Sequence, residues 1–415
     1  MIIRISRYLL LIIMVIVSAH FLPKLYWMKF EKSISTPFIG YSPIINDFVK
    51  MNVNTMNVGK SDVNWSDTKN NIYDRNQYDS IMPFQNYRQL AALNKMPDSI
   101  GSKELNLDSV RLNNFTFRIR PSDIDFEKIP LFSLLESKSG RIKLEMPDDF
   151  FRINERIEFI DSKTNTINED KSKRFTEAML KAGFSFPSKL IAGNPTTRKP
   201  FDEGYFILDS NEKLFQLKME KGNPFCVRIE VPGNIDIAHI AVIEMNLREF
   251  YAYLVTGDNQ IYLLCYDDYK FIRLPVDNYN YKKDVFYIQG DLYYRTISVI
   301  RYDNIDVVVA DRGYQVIDKY SEKWTGKHES PAGIFSAYLF PFSINYFDKN
   351  SSFVDTYLKL SDSSAILLMI LSTIAAVFLI KYRKQSLKKS IPDLILVLIT
   401  GIYGLIAITA FRDVE

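Results

Sequence analysis

The chain has 415 residues, with 52 Lys and Arg against 49 Asp and Glu, a net charge of +3. That near-balance excludes a nucleic-acid binder of the usual kind, which needs a clustered basic excess to neutralise phosphates. With 47% hydrophobic and 24% charged residues the chain is not disordered, and its 25 Tyr and 29 Phe suit strands and large cores better than helical bundles.

Taken in order, residues 1–7 carry Arg4 and Arg7 ahead of the apolar stretch 8–27. Arg7 to Trp27 matches the roughly 20 residues that cross a bilayer core. Val17-Ser18-Ala19 offers small residues where a signal peptidase would cut after Ala19. The apolar run nevertheless continues through Phe21 and Leu22 to an aromatic belt at Tyr26-Trp27, which favours an uncleaved anchor.

Residues 28–362 read as one β-rich domain. Residues 28–80 are polar and Asn-rich, suited to hairpins and loops. Tyr87, Leu90, Ala91 and Leu93 have near-helical spacing. Phe115-Thr-Phe-Arg-Ile119 alternates with period two, as a strand with one buried face does. Strand–turn–strand units then recur at 131–146, 204–217, 251–264 and 306–317, with Gly, Asn or Asp in the turns. The last three turns, at 209, 256 and 310, lie 47 and 54 residues apart, near the period of a four-stranded propeller blade. Successive irregular hairpins fit the same pattern. Asn168 to Ala182 predicts a helical insertion, with Asn168 as cap, Phe175, Ala178, Met179 and Ala182 as buried stripe and Gly183 as terminator. Residues 332–350 are apolar but interrupted by Gly333 and Pro341, and suit a last strand returning to the membrane.

Two further apolar runs, 363–380 and 391–411, flank a basic loop at 381–390, and 412–415 form a tail. The loop carries Lys381, Arg383, Lys384, Lys388 and Lys389 without an acid, so the positive-inside rule places it in the cytoplasm. Counting back gives three transmembrane helices, a cytoplasmic N-terminus and an extracytoplasmic 28–362. Ser372 with Ala376 and Thr400 with Gly404 are small-x-x-x-small pairs that permit close helix packing. Ser390-Ile-Pro-Asp393 fits a helix cap. The two spans are otherwise free of ionisable groups, which argues against a transport path of their own.

Catalytic and metal signatures are sparse. There is no G-x-S-x-G and no Walker loop. Gly193-Asn-Pro-Thr-Thr-Arg-Lys199 has the look of a phosphate loop but lacks its second Gly, and reads as a structured loop with surface Arg and Lys. Asp148-Asp149, Asp202-Glu203 and Asp267-Asp268 read as solvated turn carboxylates, since neighbours on a strand face opposite ways. Asp209-Ser-Asn211 begins like a calcium loop without its later ligands. His20, His239 and His328 form no zinc spacing, and Cys226 and Cys265 read as buried thiols rather than a disulfide. No catalytic, cofactor-binding or metal-binding residue is assigned, and no cofactor is expected.

Several stretches resemble a family of uncharacterised bacterial inner-membrane proteins, a domain of unknown function often found with ABC-transporter components. They are Pro23-Lys-Leu-Tyr-Trp-Met-Lys-Phe-Glu31, residues 139–151, Ile157-Glu-Phe-Ile-Asp161, Ala192-Gly-Asn-Pro-Thr-Thr-Arg-Lys199 with Asp202-Glu-Gly-Tyr205, and Glu322-Lys-Trp324. The resemblance implies a periplasmic domain on an inner-membrane anchor, with ABC permease and ATPase subunits as partners. The expected function is a non-catalytic accessory subunit of an export or ABC-type complex. A ligand-binding or sensory module and an extracytoplasmic hydrolase are the alternatives.

Overall fold

The computed structural model describes residues 2–30, 37–55, 61–126, 129–233 and 235–412. The chain forms two compact units. A helical unit comprises Met1–Thr36, Tyr302–Asn304 and Glu322–Glu415, and a β unit comprises Pro37–Arg301 and Ile305–Ser321.

The chain opens with α1 (Ile2–Phe30). The β unit begins with β1 (Phe38–Ser42), β2 (Asp47–Thr55), β3 (Ser61–Asp67) and β4 (Ile72–Tyr73), an antiparallel meander in chain order. Three short helices follow, α2 (Arg75–Ile81), α3 (Tyr87–Ala92) and α4 (Leu107–Asn113), with the small hairpin β5 (Ser99–Ile100) and β6 (Lys103–Glu104) between the last two. Asp74 caps α2 through a reciprocal capping box with Gln77. Next come β7 (Phe115–Ile119), the single-turn α5 (Pro121–Ile124), and the hairpin of β8 (Asp149–Ile153) and β9 (Ile157–Asp161).

Helix α6 (Glu169–Lys181) sits in the predicted insertion. The Asn168 side chain accepts the Lys171 N–H, Phe175 and Met179 are buried, and Gly183 takes a φ of 88°. Two more four-stranded meanders succeed it: β10 (Leu190–Gly193), β11 (Tyr205–Leu208), β12 (Leu214–Glu220) and β13 (Asn223–Ile229), then β14 (Ile237–Val242), β15 (Phe250–Thr256), β16 (Ile261–Cys265) and β17 (Phe271–Arg273). The last sheet joins β18 (Val285–Gly290), β19 (Arg295–Ile300), β20 (Asn304–Ala310) and β21 (Val316–Lys323), and β7 returns from far upstream to pair with β18, Phe286 opposite Ile119. The unit is therefore a set of small antiparallel sheets, none closed into a barrel. Alternation explains their burial: Phe115 and Ile119 face a core with Tyr253, Leu263 and Phe286, while Phe206, Leu254 and Leu264 line a second core between neighbouring meanders.

Two strand expectations differ from the structure. Residues 141–146 form no strand, and Ile142 is fully exposed. Phe132 instead bridges to Phe151, so the β8–β9 hairpin takes the core positions beside Leu134. Residues 332–350 are not a single strand: Pro331 and the Ser330 cap start α7 (Pro331–Leu339), and only then come β22 (Phe342–Phe347) and its partner β23 (Val354–Leu360).

The helical unit is completed by α8 (Ala365–Tyr382), α9 (Ile391–Thr400) and α10 (Ile402–Ala410). Among the described residues only α1 and α8 are long and apolar enough to cross a membrane, with 18-residue stretches of mean hydropathy 2.1 within Ile5–Phe30 and 2.3 across Ala365–Tyr382. The third expected span is not one helix. Gly401, at φ 58° and ψ −128°, breaks it into pieces of ten and nine residues. At about 1.5 Å per residue each piece covers about half of the roughly 30 Å hydrocarbon core. Leu11, Val15 and Ala19 recur every four residues on the buried face of α1, and join Ala376, Val397, Tyr403 and Ala407 in one core.

Candidate functional site

The loop after β10 and the start of β11 build a buried polar cluster in the β unit. Gly204 has a φ of 69°, and a Cβ there would lie 2.2 Å from the Leu217 carbonyl oxygen, so only glycine fits. This tight approach turns Asp202 and Glu203 inward. The Lys199 side chain is 3% exposed. Its Nζ donates to Asp202 Oδ1 at 2.5 Å and to Glu244 Oε1 at 2.8 Å. The Ser137 hydroxyl and the Gly204 N–H donate to Asp202 Oδ2 at 2.6 and 3.1 Å. Asn194 Nδ2 donates to Glu244 Oε2 at 3.0 Å, and the Glu203 N–H to Glu244 Oε1 at 2.7 Å. Burial raises the Glu244 carboxyl above its ordinary range, while Lys199 and the Glu203 N–H draw it back.

Glu203 continues the network. Lys218 Nζ and Gln216 Nε2 donate to its Oε2 at 3.1 and 3.3 Å, and the Tyr266 hydroxyl donates to its Oε1 at 3.2 Å. Tyr266 stacks on Tyr251 with ring centroids 3.8 Å apart. One cation thus satisfies two carboxylates, and the third is held by Lys218 and two neutral donors. Such a closed lattice ties the β10–β13 meander to the β14–β17 meander, since Glu244 follows β14.

A second pair, a buried Arg295 with a half-buried Glu249, lies near β15 and β19. Arg295, 0% exposed, grips Glu249 with Nε at 3.2 Å and Nη2 at 2.5 Å, and the Tyr314 hydroxyl donates to Glu249 Oε1 at 2.6 Å. Nη1 of Arg295 donates to the carbonyls of Asp291 and Tyr294. Bidentate geometry of this kind makes a buried ion pair tolerable.

One open concavity of the β unit is a groove of about 1110 Å³. The turn after β1, the β5–β6 hairpin and the turns after β18 and β20 line it. Lys103 Nζ lies 4.9 Å from the centre of the Tyr293 ring, and Tyr294, Asn46 and Arg312 add further polar and aromatic edges. Its mix of aromatic faces and both charge signs suits an extended polar chain rather than an apolar ligand. Among the described residues, no group of three or more His, Cys, Asp or Glu is placed to hold a metal ion.

The residues singled out in sequence fall as follows. The Arg4 side chain lies outside the described residues. Arg7 forks onto Asp393, Nη1 to Oδ1 at 3.0 Å and Nη2 to Oδ2 at 2.6 Å, both groups buried, and its Nε donates to the Phe411 carbonyl at 3.3 Å. Arg383 donates to the carbonyls of Ile408 and Thr409 at 2.8 and 3.0 Å, at the negative end of α10. Both arginines thus satisfy carbonyls at the end of α10, and Arg383 is a loop charge as well. Lys381, Lys384, Lys388 and Lys389 are exposed. Ser372 and Ala376 are buried on one face of α8. Thr400 and Gly404 straddle the Gly401 break, where a Cβ on Gly404 would meet Thr400 Oγ1 at 2.5 Å, so they pack within one bent segment. Ser390 makes no side-chain cap and donates instead to the Ser386 carbonyl.

Several polar readings change in the same way. Lys199 is buried while Arg198 beside it is exposed. Asp202 and Glu203 are buried and paired, Asp149 pairs with Lys171 at 2.7 Å, and Asp267 and Asp268 are exposed. Asp209 is fully buried and anchors its own turn by accepting the N–H groups of Asn211, Lys213 and Ser185. Cys226 and Cys265 are free thiols, pushed up by burial to about 12 and about 11. Glu244, Glu249 and Arg295 carried no sequence signal as sites, and Asp393 was read only as part of a helix cap. A lone acid at the start of an apolar run was the one clue for Asp393.

No curated protein matches the chain at a significant level. The family model described as a domain of unknown function, DUF4857, matches residues 38–310, which hold the ion lattice, the Arg295–Glu249 pair and most of the groove. The chain belongs to the DUF4857 family.

Proposed function

We propose that this protein is a non-catalytic accessory subunit of an export or ABC-type transport complex. On this reading the helical unit sits in a bacterial inner membrane, and the β unit stands on the periplasmic side as a partner-contact domain. The observation that carries the anchoring half is the surface of the helical unit. Outward positions of α1 (Ile5, Leu9, Ile12, Ile16), α8 (Ile366, Leu367, Ile370, Phe378) and α9 (Ile395, Leu398, Ile399) are exposed large apolar residues. A water-facing surface does not tolerate such a belt, whereas lipid does. Helices α9 and α10 complete the helical unit, with the Gly401 backbone covered by Met369 and Pro341. The exposed lysines of 381–390 support a cytoplasmic side for that loop and the N-terminus by the positive-inside rule. In the β unit, the four-stranded meanders are units of the kind a propeller repeats.

The non-catalytic half is supported by the buried ionisable groups. Lys199, Asp202, Glu203, Glu244, Glu249 and Arg295 satisfy one another, and none of these is aimed at the groove. The transporter partner rests on the family resemblance. Affinity purification of the full chain in a mild detergent tests it: an ATPase and a permease co-purify in stoichiometric amounts. Recovery of the chain alone refutes it. The groove of about 1110 Å³ favours a second reading, a ligand-binding module for an extended polar solute. A saturable thermal shift with a solute panel supports that reading, and a flat panel counts against it.

A further inference from the structure

Both ends of residues 391–411 meet one side chain. The Arg7 guanidinium reaches the Asp393 carboxylate at 3.0 and 2.6 Å and the Phe411 carbonyl at 3.3 Å. Asp393 is in the first turn of α9, and Phe411 follows α10. At 1.5 Å per residue, a straight helix would hold these two residues about 27 Å apart. Arg383, just past α8, donates to the Ile408 and Thr409 carbonyls at 2.8 and 3.0 Å. The start of α1, the end of α8, the start of α9 and the end of α10 therefore lie at one level of the helical unit.

The middle of the segment shows how the chain turns back. Gly401 holds φ 58° and ψ −128°, a conformation that side chains exclude. A Cβ on Gly404 would stand 2.8 Å from the Val397 Cα and 3.1 Å from the Leu396 carbonyl oxygen. In one continuous helix, residues seven apart are separated by about 10 Å. Helix α10 is thus folded against α9, backbone on backbone, and the small Thr400 and Gly404 form the seam. Polar groups at the bend are satisfied within the protein. The Thr400 hydroxyl donates to the Leu396 carbonyl and the Tyr403 hydroxyl to the Phe342 carbonyl, both at 2.6 Å. A Cβ on Gly401 would meet Met369 Cγ at 3.2 Å and Pro341 Cγ at 3.4 Å, so protein rather than lipid covers the irregular backbone. The outward side of α9, with Ile395, Leu398 and Ile399 exposed, is left to lipid.

We infer that α9 and α10 form a re-entrant hairpin, which enters the bilayer from the side of the basic loop, turns at Gly401 and leaves by the same side. Helices α1 and α8 make the crossings. Residues 411–415 then lie in the cytoplasm with the N-terminus and the 381–390 loop, opposite the β unit, and are open to cytoplasmic partners only. The inference rests on the membrane reading above. Charge agrees with it: Arg7, Arg383 and the exposed Arg412 gather at this end, the side that the positive-inside rule assigns to the cytoplasm.

Labelling of Arg412→Cys in the full chain tests it, beside Lys388→Cys in the loop and Lys173→Cys on α6. In intact spheroplasts a membrane-impermeant maleimide is expected to label Lys173→Cys, and to reach Arg412→Cys, like Lys388→Cys, only after lysis. Labelling of Arg412→Cys before lysis, with Lys388→Cys still protected, overturns the hairpin and makes the segment a third crossing. Labelling of Lys388→Cys before lysis, or release of the chain from membranes by alkaline carbonate, sinks the membrane reading itself, so the two failures are told apart. A green fluorescent protein joined after residue 415, which matures when it stays in the cytoplasm, reads the same question without a thiol. The fusion is expected to fluoresce as strongly as one joined ahead of residue 1, and a dark fusion at equal abundance overturns the inference.

Discussion

Replacing Asp291 by Asn will stabilise the β unit at neutral pH and flatten its pH dependence. Asp291 opens the turn after β18 and is 7% exposed, and its Oδ1 accepts the N–H groups of Tyr293 and Tyr294, both at 2.8 Å. Burial pushes the carboxyl up from 3.8 to about 6, with the two N–H bonds and Arg295 pulling the other way. The folded state therefore holds the proton more tightly than the unfolded chain. Stability falls as pH rises between about 4 and 6, and above that the ionised group opposes folding by its full shift. A shift of about 2 units corresponds to about 3 kcal/mol. Lowering the pH from 7.5 to 5 recovers about 1.4 kcal/mol of this by the same linkage. At 2–4 °C per kcal/mol for a large domain, that is a rise of about 4 °C in Tm. Asn keeps the oxygen acceptor for both N–H groups and carries no charge. Scanning fluorimetry of the full chain in detergent reads both proteins from pH 7.5 to 5. The wild type gains Tm on acidification by about 4 °C more than Asp291→Asn does, because Glu244 and Asp284, also raised by burial, remain in both. Parallel pH profiles, or a variant less stable than wild type at pH 7.5, would refute the reasoning.

Three further substitutions probe the buried charges and the helix break. Lys199→Met leaves Asp202 and Glu244 buried without their cation and costs about 3–5 kcal/mol, seen as a lower Tm, and adding Glu244→Gln returns part of the loss. Arg7→Leu and Asp393→Leu each strand a buried charge and lower the melting temperature of the detergent-solubilised chain, whereas the double variant recovers most of it. Equal losses in all three would show that the pair is not coupled. Gly401→Ala places a Cβ 3.2 Å from Met369 Cγ at a backbone conformation reserved for glycine, and costs about 1–3 kcal/mol in the same melt.

Local patterns carried much of the fold. Period-two alternation located β7, the strand–turn–strand runs located β11, β12, β15 and β16, and the Asn168 cap with a four-residue apolar stripe located α6. Patterns fail where the partner is distant. Residues 141–146 alternate as well as any strand, but β8 and β9 occupy the core they would have needed. The apolar run 391–411 has enough length for a span, yet hydropathy is blind to the φ of Gly401. The polar interior was the least legible part. Lys199 and Glu244 lie 45 residues apart, Glu249 and Arg295 46, and Arg7 and Asp393 386, so no local motif announces these pairs. Short charged stretches such as Asp202-Glu203 look solvated until Gly204 turns them inward.

The central claim is that the β unit and the basic loop lie on opposite sides of a membrane. Cysteine accessibility tests it directly, because Cys265 is buried and Cys226 half-buried, and raised pKa values keep both native thiols protonated and slow toward maleimide. Lys173→Cys, on the exposed face of α6, and Lys388→Cys, in the loop, provide the two probes. In intact spheroplasts a membrane-impermeant maleimide labels Lys173→Cys and reaches Lys388→Cys only after lysis. Labelling of the loop position with protection of the α6 position, or labelling of both before lysis, would contradict the account.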